Sequence, residues 1–293
     1  MTAPEQTDDI PDDVAPHSPL DAPSLDRSSR WNRGTKLADG STLNWWREML
    51  IVAVVYVVYE SVRNVSKSKP GPAFENAKRI ISWQETLGIY HEKSIQDWAI
   101  QYTPLIVVSN YFYGSAYMVV TIGTLIWLYR KRPDHYRLWR TTLAVGTLIG
   151  LIGFATFPLM PPRLLDVMGD GRQFYGYIDT LVKYPTFWSF DSSAMKEVSN
   201  QFAAMPSLHC GWSFWAFAAL FPLVRSTWAK VLVTLYPIAT VTVVVVTGNH
   251  YFLDAVGGLV IFVIGYGVAR LVGYVRVSWR KRQAEPDSAM ATP

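Results

Sequence analysis

Two segments place a histidine where a polar stretch meets a long apolar run: PSLHCGW at 206–212 and GNHYFLDAVGG at 248–258. In the second, His250 and Asp254 stand four apart, so on a helix they share one face. A carboxylate accepting from one ring nitrogen fixes the tautomer and raises basicity, leaving the other nitrogen free to attack phosphorus or take a proton. The same spacing also serves an ordinary helix start, because the macrodipole favours Asp in a first turn. His209 follows Pro206, a residue suited to a first helical turn. Free amides there, with the Ser207 hydroxyl, could cradle a phosphate oxygen, and a protonated imidazole could hand its proton to a leaving alkoxide. Without a partner motif, PSLH reads more readily as a helix start whose histidine meets water or a carbonyl. Arg163, in FPLMPPR, has a planar fork of donors that matches phosphate oxygens and stays charged, though arginines beside spans also serve as interfacial anchors.

These residues need apolar elements to hold them. Half of the 293 residues are hydrophobic and the mean hydropathy is +0.12, which marks a membrane protein. A span takes about 20 mostly apolar residues, and the stretches 46–62, 104–129, 140–158, 207–224, 230–247 and 251–270 qualify. The expected fold is an all-α, six-transmembrane-helix bundle. Between the first two spans, Lys-Pro-Gly-Pro at 69–72 breaks any continuous helix. Mixed apolar spacing at 80–89 then predicts one or two helices, lying on the bilayer surface or capping the bundle. Asn110, in the second span beside Tyr-rich 111–117, should face protein or water rather than lipid.

Orientation follows from the basic residues of the short loops. Arg130, Lys131, Arg132, Arg137 and Arg140 follow the second span, Arg225 and Lys230 follow the fourth, and Arg276, Arg280, Lys281 and Arg282 follow the sixth. With six spans these all share one side with the N-terminal flank, predicted to be cytoplasmic. Arg163, Ser207, His209, His250, Asp254 and the long 159–205 loop then fall on the other. A long connection among short ones is more often functional than decorative. The expected location is a multi-pass plasma membrane protein with both termini cytoplasmic and its site extracytoplasmic.

Residues 1–43 are expected to be a disordered acidic, proline-rich tail, residues 44–278 the membrane domain, and 279–293 a C-terminal tail. Residues 1–26 hold seven acidic residues, five prolines and no Lys or Arg, the reverse of a cleavable signal peptide. The single Cys210 excludes an intrachain disulfide and lacks the neighbours of a zinc site. A net charge of +4, bunched in loops without interleaved aromatics, gives nucleic-acid binding no support. Arg172, Lys183 and Lys196 could draw in an anionic headgroup, although loop charges are mostly just solvated. Trp188, Phe190, Trp212 and Trp215 read as packing or interfacial residues.

In order along the chain, PPR, PSLH and HYFLD resemble the signature of the type-2 phosphatidic acid phosphatase superfamily over about residues 46–275. The arrangement is most similar to its inositol phosphorylceramide synthase-like branch. The resemblance implies a six-helix membrane bundle and a metal-independent reaction through a phosphohistidine, so no cofactor or metal is expected. It implies His250 as nucleophile, Asp254 as its orienting partner, His209 as acid, and Ser207 with Arg163 as phosphate holders. The wider phosphatase pattern is KxxxxxxRP, PSGH and SRxxxxxHxxxD. Here Thr156 stands for the lysine, Leu208 for the glycine, and Val243 and Val244 for Ser-Arg. Losing two phosphate-holding cations leans away from a dianionic monoester and toward phosphodiester transfer. The expected partners are a membrane lipid and an alcohol acceptor, inositol-containing or lipid. A lipid phosphate phosphatase using water is the alternative. A proton-coupled transporter would place ionisable residues along span interiors, which are nearly free of them; a scaffold would use the acidic tail as its arm.

Overall fold

A computed structural model of the chain describes residues 35–37, 41–65, 70–171, 174–186 and 201–284. Expectations for most of the N-terminal tail, for Arg172, Trp188, Phe190 and Lys196, and for residues 285–293 lie outside them.

The chain is built from α1 (Trp45–Val65), α2 (Pro70–Thr86), α3 (Glu92–Ala99), α4 (Thr103–Lys131), α5 (Pro133–Thr156), α6 (Leu208–Leu220), α7 (Thr227–Val246) and α8 (Phe252–Ala284). Thr35–Lys36 and Thr42–Leu43, inside the stretch expected as tail, pair as a short antiparallel hairpin. Leu37 and Leu43 are buried in a cluster with Tyr136, Trp139 and Trp215. Arg137 holds that hairpin through the Ser41 hydroxyl and the Thr42 carbonyl.

Four described helices, α4, α5, α7 and α8, are long and apolar enough to cross a membrane. They carry rows of exposed Val, Leu and Ile, including Val108, Val119, Ile122, Leu232, Leu235, Val260 and Val263, a surface suited to lipid and unsuited to water. The other two expected spans are helical but differ. In α1 the apolar stretch is flanked by Arg47, Glu48, Glu60 and Arg63. α6 has 13 residues, about 20 Å of rise, against a hydrocarbon core of about 30 Å. It sits among α4, α5, α7 and α8.

Small residues let the central helices touch backbone to backbone. A Cβ at Gly265 of α8 would stand 2.7 Å from the Thr142 carbonyl of α5, and one at Gly258 2.6 Å from the Ser207 carbonyl. Dispersion and close backbone approach replace the hydrophobic drive that lipid cannot supply.

Above one end of the bundle lie α2 and α3. Ala73, Phe74, Ala77, Ile80 and Ile81 form the buried stripe of α2. It packs on Leu159, Met160, Leu164, Leu165 and Tyr251, with each large side chain contributing roughly 1.5–3 kcal/mol by leaving water. That stripe faces protein, while Trp83, Leu87 and Trp98 stay exposed on the other side of the segment. The long loop is pinned to the bundle by Asn110, whose amide donates to the Thr180 carbonyl (2.9 Å) and the Tyr184 carbonyl (3.1 Å) and accepts from the Thr180 hydroxyl (3.1 Å). Asn110 is buried, facing protein as expected.

Candidate active site

Ser207 is the N-cap of α6, and its hydroxyl accepts the Cys210 amide at 3.3 Å. Pro206 therefore precedes the cap instead of occupying the first turn, and His209 projects from the second helical position. Leu208, in place of the family glycine, packs toward Gly150 of α5, where a Cβ would come within 2.7 Å of its Cδ2.

His250 lies before α8 rather than on it, so the HxxxD spacing does not act through a shared helix face. Asp254 is the third helical residue and reaches back to the Tyr251 amide (2.9 Å) with the same Oδ2 that meets His250 Nδ1 at 3.2 Å. This is the reciprocal half of a capping box, put to use on an imidazole. The next amides are taken from outside: Phe252 N–H donates to Glu92 Oε1 (2.9 Å) and Leu253 N–H to Gln84 Oε1 (3.0 Å), while Gln84 Nε2 donates to Glu92 (2.6 Å). All three residues, Asp254, Glu92 and Gln84, have no exposure.

The turn from α7 into His250 needs Gly248, whose φ is +67°. A Cβ there would also stand 2.7 Å from Gln96 Nε2. Against this turn lies Arg163, on a 3-10 turn at Pro162–Leu164. Its amide donates to the Gly248 carbonyl (2.9 Å), its Nε to Asn249 Oδ1 (2.9 Å) and its Nη1 to Asp179 Oδ2 (2.6 Å). Asp179 is itself fixed by accepting the Leu181 amide at 3.1 Å. The guanidinium is thus held in one orientation by the protein alone.

The two imidazoles meet, with ring centroids 5.7 Å apart and planes at 60°. Tyr113 of α4 stacks on His209 at 4.4 Å, and Tyr117, one turn on, meets it edge-on at 4.5 Å. Burial, aided by the nearby Arg163 charge, lowers His250 to about 4, against a hydrogen bond to the Ala204 backbone that works the other way. The ring is therefore neutral at physiological pH, with Asp254 behind it, which is the form a nucleophile needs.

All five expected residues, Arg163, Ser207, His209, His250 and Asp254, come to one end of the bundle. Asp179, Asn249, Gln84, Glu92, Tyr113 and Tyr117 join them without having been singled out for the site; the Tyr-rich run at 111–117 and the GNH sequence were their only signals. The expected packing roles of Trp212 and Trp215 are visible in indole bonds to the Thr147 hydroxyl (3.0 Å) and the Trp139 carbonyl (2.8 Å). Lys183 lies over the Tyr184 ring, 5.5 Å from its centroid. Among the described residues, no group of three or more His, Cys, Asp or Glu could hold a metal ion.

Helices long and apolar enough to cross a membrane bring two histidines, a buried carboxylate and an arginine to one end of the bundle, which marks a membrane protein with a cluster of ionisable groups at one end. A family model described as the PAP2 superfamily matches residues 78–268, and the chain belongs to that superfamily. Membership points to a lipid phosphatase or phosphotransferase type of function. No curated protein and no solved structure matches the chain.

Proposed function

We propose that the protein is an integral membrane lipid phosphotransferase that moves a phospho-headgroup from a lipid to an alcohol acceptor through a phosphohistidine. The observation that carries this reading is the 5.7 Å separation of the His209 and His250 rings with Asp254 bonded behind His250. Rings in contact at this distance can serve one phosphorus held along their shared edge, one nitrogen meeting phosphorus while the other faces its leaving oxygen.

His250 Nε2 attacks phosphorus as the bond to the donor's alkoxide breaks, and His209 gives that oxygen its proton. Asp254 stabilises the charge that develops on the His250 ring, as the acid of a triad does. The free N–H groups of Arg163 and the Ser207 O–H hold the non-bridging oxygens. The acceptor then returns its proton to His209 while its oxygen displaces His250 from phosphorus. Both bonds and protons balance, and the enzyme is restored.

Two replacements favour a diester donor of the inositol phosphorylceramide synthase-like kind over a lipid monoester. The Thr156 hydroxyl bonds back to the Ile152 carbonyl at 2.8 Å, and Val244 is buried with its carbonyl accepting the His250 amide at 3.1 Å. Neither position supplies the cation that a dianion would use. In this reading α1 and α6 complete a six-span bundle in a plasma membrane, with the site at the extracytoplasmic face and opening to lipid.

The test is purified protein given labelled phospholipid in chelator, with and without inositol or diacylglycerol, and analysis of the products. Label transferred to the alcohol, and lost in His250→Ala, is the expected result. Unchanged turnover in His250→Ala overturns the mechanism, and release of the label to water alone assigns a phosphatase.

A further inference from the structure

At the end of the bundle away from the histidines is a cleft of about 310 Å³. Five arginines reach it from three helices: Arg47 from α1, Arg137 and Arg140 from α5, Arg276 and Arg280 from α8. Glu48 is the one acidic side chain among its described lining residues. Along α8, Asp254 and Arg276 are separated by about 33 Å at a helical rise of ~1.5 Å per residue, so the cleft and the histidines lie roughly a bilayer core apart.

Loop arginines are ordinary on the cytoplasmic side of a membrane protein. That bias asks only for cations on one side, and it does not ask them to converge. Like charges gathered in a concavity repel, and more so where low-dielectric walls focus the field. Convergence therefore favours an anion among them. Guanidinium forks match phosphate oxygens in pairs, and the volume is that of a small ligand site. One wall is prebuilt, because Arg137 is held by the Ser41 hydroxyl and by the Thr42 carbonyl at 2.6 Å. Another carries the cleft's one ion pair: Arg140 Nε lies 3.2 Å from Glu48 Oε2 and its Nη2 donates to Glu48 Oε1 at 3.5 Å, so a single carboxylate stands against five arginines among the described lining residues.

We propose that this cleft binds a phosphate-bearing anion at the face of the bundle opposite the reaction centre. The ligand is the headgroup of an anionic lipid in the adjoining leaflet or a free phosphate in solution. The site does not depend on the reaction assigned to the histidines.

The test uses full-length protein carrying His250→Ala, so that turnover cannot consume a ligand, in phosphatidylcholine nanodiscs. Binding of phosphatidic acid added to the nanodisc, and of inorganic phosphate added to the buffer, is measured with and without Arg276→Gln and Arg280→Gln. Both positions are exposed on α8, so the substitutions leave the fold intact. Loss of one equivalent of binding, or a tenfold or greater weakening, is expected, with that equivalent retained in Arg163→Gln. Saturation by inorganic phosphate alone would identify a soluble ligand, and a response to the lipid alone a headgroup; either supports the site. Equal binding by the arginine variant and its parent overturns it. So does the same loss in Arg130→Gln with Lys131→Gln, outside the cleft, which would make the effect diffuse surface charge.

Discussion

Glu92 Oε1 accepts the Phe252 backbone N–H at 2.9 Å, joining residues 160 positions apart. Through it, the cap formed by α2 and α3 closes the first turn of the helix that carries Asp254. Glu92→Ala leaves two buried donors unmet, Phe252 N–H and Gln84 Nε2, at about 1–3 kcal/mol each. The shift of the His250 turn lowers kcat by roughly 10- to 100-fold, since about 1 Å of misplacement can cost that much. Glu92→Gln keeps an acceptor oxygen and retains most of both. Thermal unfolding and steady-state rates on the three proteins check this, and an alanine variant equal to wild type in both would remove the cap from the mechanism.

Asp254→Asn keeps the size of the side chain and removes its charge. With the wrong tautomer favoured and no anion to offset the developing imidazolium, the rate falls by on the order of 10³ to 10⁴. The fall should be in formation of the phosphoenzyme, followed by acid-quench trapping of labelled protein. Normal trapping rates would show that Asp254 serves only as a helix cap.

Because burial first, and then Arg163, hold His250 at about 4, its neutral form persists well below the ordinary imidazole value. The acid limb of kcat/KM should therefore lie near 4 rather than near 6.5. The linkage has a definite sign: the unfolded chain takes up this proton below about 6.5 while the folded one does not. Stability from this group is complete above about 6.5 and is lost as pH falls toward 4. Denaturation midpoints across that window, in wild type and His250→Gln, isolate the contribution.

Gly265→Ala presses a methyl to 2.7 Å from the Thr142 carbonyl and 3.0 Å from the Gly146 amide. Backbone cannot swing aside as a side chain can, so α5 and α8 must separate, at roughly 1–3 kcal/mol or more. Gly267→Ala, where a Cβ meets nothing within 4 Å, is tolerated. A matched thermal shift for the two variants would contradict the close approach.

Much of the site was legible because its signals are local. A histidine next to an apolar run, an aspartate four residues on and a proline-arginine pair are all short-range patterns, and their joint order along the chain carried the family. The spans were legible where composition alone decides, as in α4, α7 and α8. Composition decides less where length and charge pull against hydropathy: α6 has 13 residues, and α1 carries charge at both ends.

The sequence by itself determined the residue types at the candidate site, the apolar helices that carry them and the bunching of arginines in one set of loops, because each follows from spacing or composition within a few turns of chain. Tertiary structure alone decided that His250 precedes its helix, that Asp254 serves it through a capping contact, and that Glu92, Gln84, Asp179 and two tyrosines complete the site. Those partners lie far off in sequence, and a buried hydrogen bond or ring contact depends on where the folded backbone brings each atom, which no local pattern encodes.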